Sequence, residues 1–220
     1  MTDPDPEPRR VIVLRHGRTD DNAANIWQGH RDTELSAIGR EQATATAPVL
    51  AAYRPSVIVS SDLRRAADTA RAVADLVGVP VRLDSRFREV HVGQWQGMSH
   101  AVVQARYGGV LEAIDRGDDV RKGVTGETRA ELAVRVTEAL DELVGGLGPG
   151  QTALVVAHGV SGRVAAAALV GLDQGVADEV LRGLDNCHWA ELVEVRRTFS
   201  ADVPPVWRIA AWNRGAVSPP

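Results

Sequence analysis

The sequence predicts an α/β fold, a three-layer α/β/α sandwich around a mainly parallel sheet. Short apolar runs rich in β-branched residues alternate with stretches whose apolar residues recur at helical spacing. This alternation is typical of strands joined by crossover helices. Three apolar runs, at residues 11–14, 57–59 and 152–157, pass directly into polar or charged residues. The carboxyl ends of parallel strands face the crevice where such sheets bind ligands, so we expect the functional site there.

Composition limits the function classes. With 220 residues, 44% apolar and 25% charged, the chain is typical of one globular domain. Its net charge of −4 argues against a nucleic-acid or membrane-surface partner. The single cysteine, Cys187, rules out an intrachain disulfide and favours a reducing, cytoplasmic location. The acidic start lacks the apolar core of a signal peptide. We predict a domain at residues 9–214, a disordered tail at 1–8 and a flexible tail at 215–220.

The local patterns predict each element in order. Ser36 is a predicted N-cap, Ser61 or Asp62 is expected to cap the next helix, and Thr128 with Glu131 forms a capping box. A polar loop should follow the first strand, and residues 86–97 and 117–125 should be loops. The predicted strands are 10–14, 57–61, 81–83 and 152–157, with two late strands at 186–194 and 206–212 that suit an antiparallel sheet edge. The predicted helices are 37–53, 63–76, 99–116 (broken at its two glycines, 108 and 109), 129–144, 160–170 and a short one within 175–183.

Arg15 and His16 end the first strand and are followed by Gly17. Arginine offers a planar fork of donors to phosphate oxygens, and histidine can act as a nucleophile when its second ring nitrogen is held by a hydrogen bond. A glycine lets the backbone approach an anion closely. The alternative is a strand that ends in two surface charges. His158 and Gly159 repeat the arrangement after the fourth strand.

Three other segments carry candidate residues, each with a plainer alternative. Arg64 and Arg65 lie in the first turn of a helix, where a cation opposes the helix dipole unless an anion binds there; otherwise they are solvated. Glu89, in a loop, could donate a proton from a partly dry cleft, or could pair with Arg86 or Arg88. Asn22 could donate to a phosphate oxygen or simply stabilise a turn.

Together these segments resemble the histidine phosphatase superfamily, also called the phosphoglycerate mutase-like family. The resemblance rests on residues 14–22, 60–70, 88–97 and 156–159, which span nearly the whole chain in the family's order. It implies that His16 becomes phosphohistidine and that Arg15, Arg65 and His158 hold the phosphoryl oxygens. Arg65 is chosen over Arg64 because the family's pocket arginine directly precedes an alanine. Asn22 matches a phosphate contact, and Glu89 matches the general acid.

The resemblance also implies the reaction class. We expect a metal-independent phosphomonoester hydrolase without a cofactor, because arginines and histidines supply the positive charge that phosphoryl transfer requires. The histidines outside the two motifs share no ligand spacing that would suit a metal. The short region between Glu89 and His158 favours hydrolysis over the mutase reaction. An edge strand offers a surface for a homodimer, although no residue requires one.

Within the superfamily, the motifs are most similar to the actinobacterial glucosyl-3-phosphoglycerate phosphatases. This implies a small sugar or glycerate phosphate as substrate. A bisphosphate-primed phosphoglycerate mutase, a broad-specificity acid phosphatase and an α-ribazole phosphatase remain alternatives. Gln28, His91 and Gly159 are further candidate substrate-binding residues, though His91 could equally be a hydrogen-bonded loop residue. Arg18 and Arg31 could meet a substrate carboxylate.

Overall fold

The structure, a computed structural model, describes residues 7–195 and 204–216. The predicted tails lie largely outside these ranges, and the domain bounds stay a prediction. Glu7, within the predicted first tail, accepts a hydrogen bond from the Gly150 N–H at 2.8 Å. The strands are β1 (Arg10–Arg15), β2 (Val57–Ser60), β3 (Val81–Leu83), β4 (Thr152–Ala157), β5 (Trp189–Val195) and β6 (Val206–Arg214). The helices are α1 (Asp20–Ala23), α2 (Ala37–Ala51), α3 (Arg64–Val77), α4 (His100–Asp115), α5 (Arg129–Gly145), α6 (Gly159–Val170) and α7 (Gln174–Val180).

The six strands form one sheet in the order β3-β2-β4-β1-β5-β6. The first four in that order are parallel, β5 is antiparallel to β1, and β6 is antiparallel to β5. The mainly parallel sheet and the two antiparallel late strands are therefore confirmed. β1 and β4 are adjacent and in register, with Arg15 opposite Ala157. Because of this pairing, the residues that follow the two strands, His16 and His158, lie next to each other.

Each face of the sheet packs against helices, which gives three layers. Along β1, Val11 and Val13 contact the core that includes α5 and α6, whereas Ile12 and Leu14 contact the core that includes α2 and α3. All four side chains are fully buried, as expected for a parallel strand covered on both faces. Burying a side chain of this kind stabilises the fold by about 1.5–3 kcal/mol. The strand is therefore a rigid support for the residues at its end.

Local chemistry explains most element boundaries, with three differences from prediction. The Ser36 cap and the Thr128–Glu131 capping box are confirmed. The short helix α1 was not predicted, and α4 is kinked at Tyr107 rather than at the glycines that follow. The predicted cap of α3 was wrong: the N-cap position is Leu63, which has no side-chain cap. The exposed N–H of Arg64 instead binds Asp32 of a distant loop at 2.7 Å, a contact that no local pattern encodes.

None of the helices within the described residues is long and apolar enough to cross a membrane.

Candidate active site

Two histidines meet where β1 and β4 end. His16 and His158 are 3% and 0% exposed, and their ring centroids lie 4.9 Å apart in an edge-to-face arrangement. Arg15 and Arg65 complete a group of four buried or largely buried nitrogen-bearing side chains. The register of β1 and β4 brings the histidines together across 142 residues of sequence, and α3 adds Arg65 from the end of β2. The residues predicted as the centre of the site are thus adjacent in the structure.

The hydrogen bonding of His16 leaves one ring nitrogen for chemistry. Its Nδ1 lies 2.7 Å from the Gly17 carbonyl oxygen. Because a carbonyl can only accept, Nδ1 carries the proton and Nε2 carries a lone pair. Among the described residues Nε2 has no hydrogen-bond partner. Burial, followed by the charges of Arg65 and Arg15, lowers the pKa of His16 well below its usual value, so the ring is neutral near pH 7.

Gly17 is required by close packing. A Cβ at this position would lie 2.5 Å from the Gly39 carbonyl oxygen, which is shorter than real contacts allow. The backbone N–H of Gly17 also donates to Thr69 Oγ1 at 3.1 Å. The turn that positions His16 is therefore held between α2 and α3, and any side chain at residue 17 would displace it.

His158 has both ring nitrogens engaged. Nδ1 lies 3.2 Å from Arg65 Nε, which can only donate, so Nδ1 accepts. Nε2 therefore carries the proton and donates to Ser61 Oγ at 2.9 Å. Burial, followed by the charges of Arg65, His16 and Arg15, lowers the pKa of His158 well below its usual value. The ring is a neutral, oriented group that contacts the pocket rather than a free nucleophile.

Arg65 is 1% exposed, although it begins a helix. Its two terminal nitrogens donate to carbonyl oxygens of the loop after α1, Arg31 at 2.6 Å and Gly29 at 2.9 Å. Burial lowers the pKa of Arg65 to about 10, so the guanidinium still carries its charge at neutral pH. Arg64, by contrast, is exposed and pairs with Glu34 at 2.6 Å. The structure thus places Arg65 in the pocket and Arg64 outside it.

Arg15 presents an unsatisfied donor. One terminal nitrogen donates to the Leu184 carbonyl oxygen at 2.6 Å, while the buried Nε has no hydrogen-bond partner among the described residues. Burial lowers the pKa of Arg15, and the charges of Glu89 and Asp185 partly oppose that effect. Buried donors are normally paired, and an unpaired one at a functional site is explained by a ligand that pairs with it. An oxyanion beside His16 would satisfy this N–H.

Glu89 lies at the amino-terminal end of α6. One carboxylate oxygen accepts the N–H groups of Val90 at 2.9 Å and Ser161 at 3.1 Å, and the other accepts that of Val160 at 3.1 Å. These donors, at the amino-terminal end of α6, hold the carboxyl group in one orientation. The alternative of an exposed pair with Arg86 or Arg88 is not what the structure shows, because those arginines pair with Asp84 and Glu142 and with Asp62, respectively.

The loop that carries Glu89 is fixed by a residue that sequence reasoning missed. Arg135, on α5, donates to the carbonyl oxygens of Arg86 at 2.7 Å, Arg88 at 2.8 Å and Glu89 at 2.9 Å. It also pairs with Glu127 at 2.7 Å. A single guanidinium thus holds the backbone of this irregular loop in place. The sequence could not predict this role, because an arginine on a partly exposed helix is usually solvated.

Asn22 is oriented by hydrogen bonds to its side-chain oxygen. Oδ1 accepts from the Thr19 N–H at 3.1 Å, from Thr19 Oγ1 at 3.0 Å and from Asn186 Nδ2 at 3.3 Å. With the oxygen occupied, the NH₂ group is left to donate elsewhere. Asn186 also donates to the His16 carbonyl oxygen at 3.0 Å, which links Asn22 to the β1 end. The sequence analysis gave Asn186 no role and placed it at the start of a predicted strand, whereas β5 begins at Trp189.

The remaining candidates surround this centre. A Cβ at Gly159 would lie 3.6 Å from both Arg15 Cζ and Glu89 Oε2, so this residue lies beside both charged groups. Gln28 is buried and accepts from Thr33 Oγ1 at 2.6 Å, in the loop that holds Arg65. The ring of His91 packs edge-on against His30 at 4.9 Å, and His30 Nε2 lies 2.7 Å from the Glu89 carbonyl oxygen.

Arg18 and Arg31 have no established role in the pocket. The Arg18 backbone binds Gln42 and Ser36, and Arg31 pairs with Asp21 at 3.6 Å. The described residues contain no group of three or more side chains suited to a metal ion. Metal independence and the lack of a cofactor stay predictions.

The fold and the site can now be set beside known proteins. A family model for the histidine phosphatase superfamily (branch 1) matches residues 11–202. The chain therefore belongs to the histidine phosphatase superfamily and is an enzyme of the phosphatase type. It is 44% identical to the glucosyl-3-phosphoglycerate phosphatase of Mycolicibacterium vanbaalenii, covering 94% of this chain and 96% of that protein. The corresponding Mycobacterium tuberculosis phosphatase is 40% identical over the same shares.

Mutases of the superfamily are also similar, though less so. A 2,3-bisphosphoglycerate-dependent phosphoglycerate mutase of Mycobacterium leprae is 33% identical, covering 89% of this chain and 88% of the mutase. Among solved structures, a mycobacterial glucosyl-3-phosphoglycerate phosphatase in complex with VO₃ superposes with a TM-score of 0.83 at 39% identity, covering 93% of this chain and 98% of that one. The phosphoglycerate mutase-like fold predicted from the sequence is confirmed.

Proposed function

We propose that this chain hydrolyses glucosyl-3-phosphoglycerate to glucosylglycerate and inorganic phosphate, with His16 as the nucleophile. One observation supports the chemistry. His16 Nδ1 donates to the Gly17 carbonyl oxygen, while its free Nε2 lies among buried guanidiniums, of which Arg15 has an unpaired N–H. The choice of substrate rests on the relatives at 44% and 40% identity, which are named glucosyl-3-phosphoglycerate phosphatases.

In the first step, His16 Nε2 attacks phosphorus. The nitrogen–phosphorus bond forms as the bond to the leaving oxygen breaks. The guanidiniums of Arg15 and Arg65 supply positive charge to the phosphoryl oxygens, and the Asn22 amide and His158 supply donors that stabilise the transition state. The Nε2–H of the neutral His158 ring would donate to a phosphoryl oxygen in place of Ser61. The neutral state of His16 matters here, because a protonated imidazole has no lone pair for attack.

Glu89 handles the proton of the leaving group. As the phosphorus–oxygen bond breaks, the carboxyl transfers its proton to the departing glycerate oxygen. In the second step the carboxylate accepts a proton from water, which attacks phosphorus and releases inorganic phosphate while His16 regains its lone pair. Its backbone donors at the start of α6 fix where the carboxyl can act.

A phosphate-release assay in the presence of EDTA tests the proposal. The panel would hold glucosyl-3-phosphoglycerate, 3-phosphoglycerate, α-ribazole phosphate, several sugar phosphates and nitrophenyl phosphate. We expect kcat/KM to be highest for the glucosylated glycerate and to be unaffected by EDTA. Equal, weak hydrolysis of all members would contradict the substrate assignment. Isomerised phosphoglycerate without phosphate release would establish the mutase instead, and loss of activity in EDTA would contradict metal independence.

The cytoplasmic location, the homodimer and the absence of nucleic-acid or membrane partners stay predictions. They rest on composition and on the edge strand β6, not on any contact in the structure.

A further inference from the structure

Lys122 is the single lysine of the chain. It lies in the charged loop between α4 and α5, which the proposed chemistry does not use. The side chain is half-buried, yet no carboxylate of the described residues lies at ion-pair distance from it. A buried ammonium group normally has a counter-ion, because removing its charge from water is costly.

The backbone around Lys122 is held against the segment that follows Glu89. The Gly126 N–H donates to the Lys122 carbonyl oxygen at 2.9 Å, and the Glu127 N–H donates to that of His91 at 2.7 Å. A Cβ at Gly123 would lie 1.9 Å from the Val92 carbonyl oxygen. Only glycine permits this approach, so the backbone at Lys122 is held beside the segment that follows Glu89.

The two carboxylates whose charges act on Lys122 already accept hydrogen bonds from backbone N–H groups. Asp119 and Glu89 both act on its pKa, but Asp119 accepts the N–H groups of Arg129 at 2.6 Å and Ala130 at 3.1 Å at the start of α5. Glu89 accepts the N–H groups at the start of α6. Neither is at ion-pair distance from the lysine. Lys122 is therefore close to negative charge without being neutralised by it.

Further positive charge lies beside Lys122. Arg129 and Arg163 both pair with Asp178 of α7, so two guanidiniums share one carboxylate. Both arginines lower the pKa of Lys122, after the larger effect of burial. Arg163 lies one turn along α6 from the N–H groups that hold Glu89, and the charge of Glu89 acts on it as well. Three cations therefore lie near one another, and the charge of Glu89 acts on two of them, Lys122 and Arg163.

We propose that Lys122 binds a carboxylate of the substrate's leaving group, with Arg163 adding positive charge; this deepens the proposed function and rests on it. The group that protonates the leaving oxygen must contact it, so the leaving group extends from His16 toward Glu89. The carboxylate of a phosphoglycerate is only a few bonds from the ester oxygen. A cation coupled to Glu89 and without its own counter-ion is where such a carboxylate would bind.

The test uses two ligands that differ in that one group. D-3-phosphoglycerate carries a carboxylate where sn-glycerol 1-phosphate, which has the same configuration at C2, carries a hydroxymethyl group. Their inhibition constants against nitrophenyl phosphate hydrolysis would be measured for the wild type, Lys122→Met, Lys122→Arg and the control Arg116→Met. Arg116 lies at the end of α4, is 65% exposed and pairs only weakly with Asp118, so its substitution removes the same charge without touching the cluster.

We expect Lys122→Met to weaken inhibition by 3-phosphoglycerate by about 10- to 100-fold, the loss of one charge-assisted hydrogen bond. Inhibition by glycerol phosphate and turnover of nitrophenyl phosphate should change by less than about twofold, since neither contains a carboxylate. Lys122→Arg should restore most of the affinity, and Arg116→Met should resemble the wild type.

Equal weakening for both ligands, or no weakening for either, would overturn the proposal. A loss of nitrophenyl phosphate turnover in Lys122→Met would do the same, because it would show a structural role. The proposed function is judged separately, by the wild type's preference for the glucosylated glycerate. That preference can fail while the carboxylate discrimination holds, in which case the site accepts a different phosphorylated acid, including a bisphosphate.

Discussion

The ends of β1 and β4 look alike in sequence and differ in chemistry. Each apolar strand is followed by a histidine and a glycine, and the two rings lie 4.9 Å apart with similar burial. At the β1 end, His16 Nδ1 donates a hydrogen bond to the Gly17 carbonyl oxygen, and Nε2 stays free. At the β4 end, His158 accepts from Arg65 and donates to Ser61. The hydrogen-bond partners, rather than burial, distinguish the proposed nucleophile from the proposed binding group.

The chain that follows each histidine extends the contrast. After His16 the backbone turns into a loop, and the Gly17 N–H is occupied by Thr69. After His158 a 12-residue helix begins at once, and its free N–H groups hold Glu89. One strand end thus presents the proposed nucleophile, while the other presents the proposed phosphate-binding histidine and holds the proposed acid in position. Two motifs of similar sequence therefore differ in the hydrogen-bonding groups that the following chain leaves available.

The largest expected effect comes from removing each histidine in turn. His16→Ala should lower kcat by about 10⁴-fold or more, since no nucleophile remains. His158→Ala should cost about 10²–10³-fold, as does the loss of one donor to the transition state. Rapid quench with labelled substrate, followed by peptide mapping, would locate the phosphohistidine. Label on His158, or label in His16→Ala, would reverse the assignment made here; a native circular dichroism spectrum is the control for folding.

Glu89→Gln probes what the β4 end contributes beyond His158. The amide keeps the shape but cannot donate the carboxyl proton, so the rate should fall by about 10²–10⁴-fold for a sugar phosphate. The loss should be smaller for nitrophenyl phosphate, whose leaving group departs without a proton. A plot of rate loss against leaving-group pKa measures this. Equal losses for good and poor leaving groups would show that Glu89 only positions α6.

The smallest effect concerns stability, where the two histidines should behave alike. Each stays neutral in the fold at pH values where an unfolded histidine, with a pKa of about 6.5, takes up a proton. The unfolded state then binds more protons, so the free energy of unfolding falls as the pH drops below 6.5. At pH 5.5 each histidine contributes at most about 1.4 kcal/mol to this fall.

Urea unfolding of the wild type, His16→Asn and His158→Asn at pH 7.5 and 5.5, in buffer without phosphate, checks this effect. Each variant should lose its own share of the pH dependence, so its stability should change less between the two pH values. If the variants show the same dependence as the wild type, carboxylates rather than the buried histidines account for acid sensitivity.

Much of the scaffold was predictable because its signals are local. The apolar runs of β1 and β4 and the capping box at Thr128 depend on neighbouring residues alone, and the structure confirms them. The cap of α3 was not predictable, because Asp32 reaches the Arg64 N–H from a loop 32 residues earlier. The kink at Tyr107 rather than at the adjacent glycines likewise depends on how α4 packs, since Tyr107 contacts the core.

The sequence by itself determined which residues could do the chemistry: two histidines and two arginines near strand ends, and a carboxyl in a loop. The motif resemblance assigned their roles, and the structure showed them in one pocket. Only the tertiary structure decided the tautomers of His16 and His158, the backbone cradle of Glu89 and the orientation of Asn22 by Asn186. The physical reason is that a proton's position on an imidazole, or the direction of an amide, depends on partners far away in the sequence. Those partners become neighbours only when the sheet has formed.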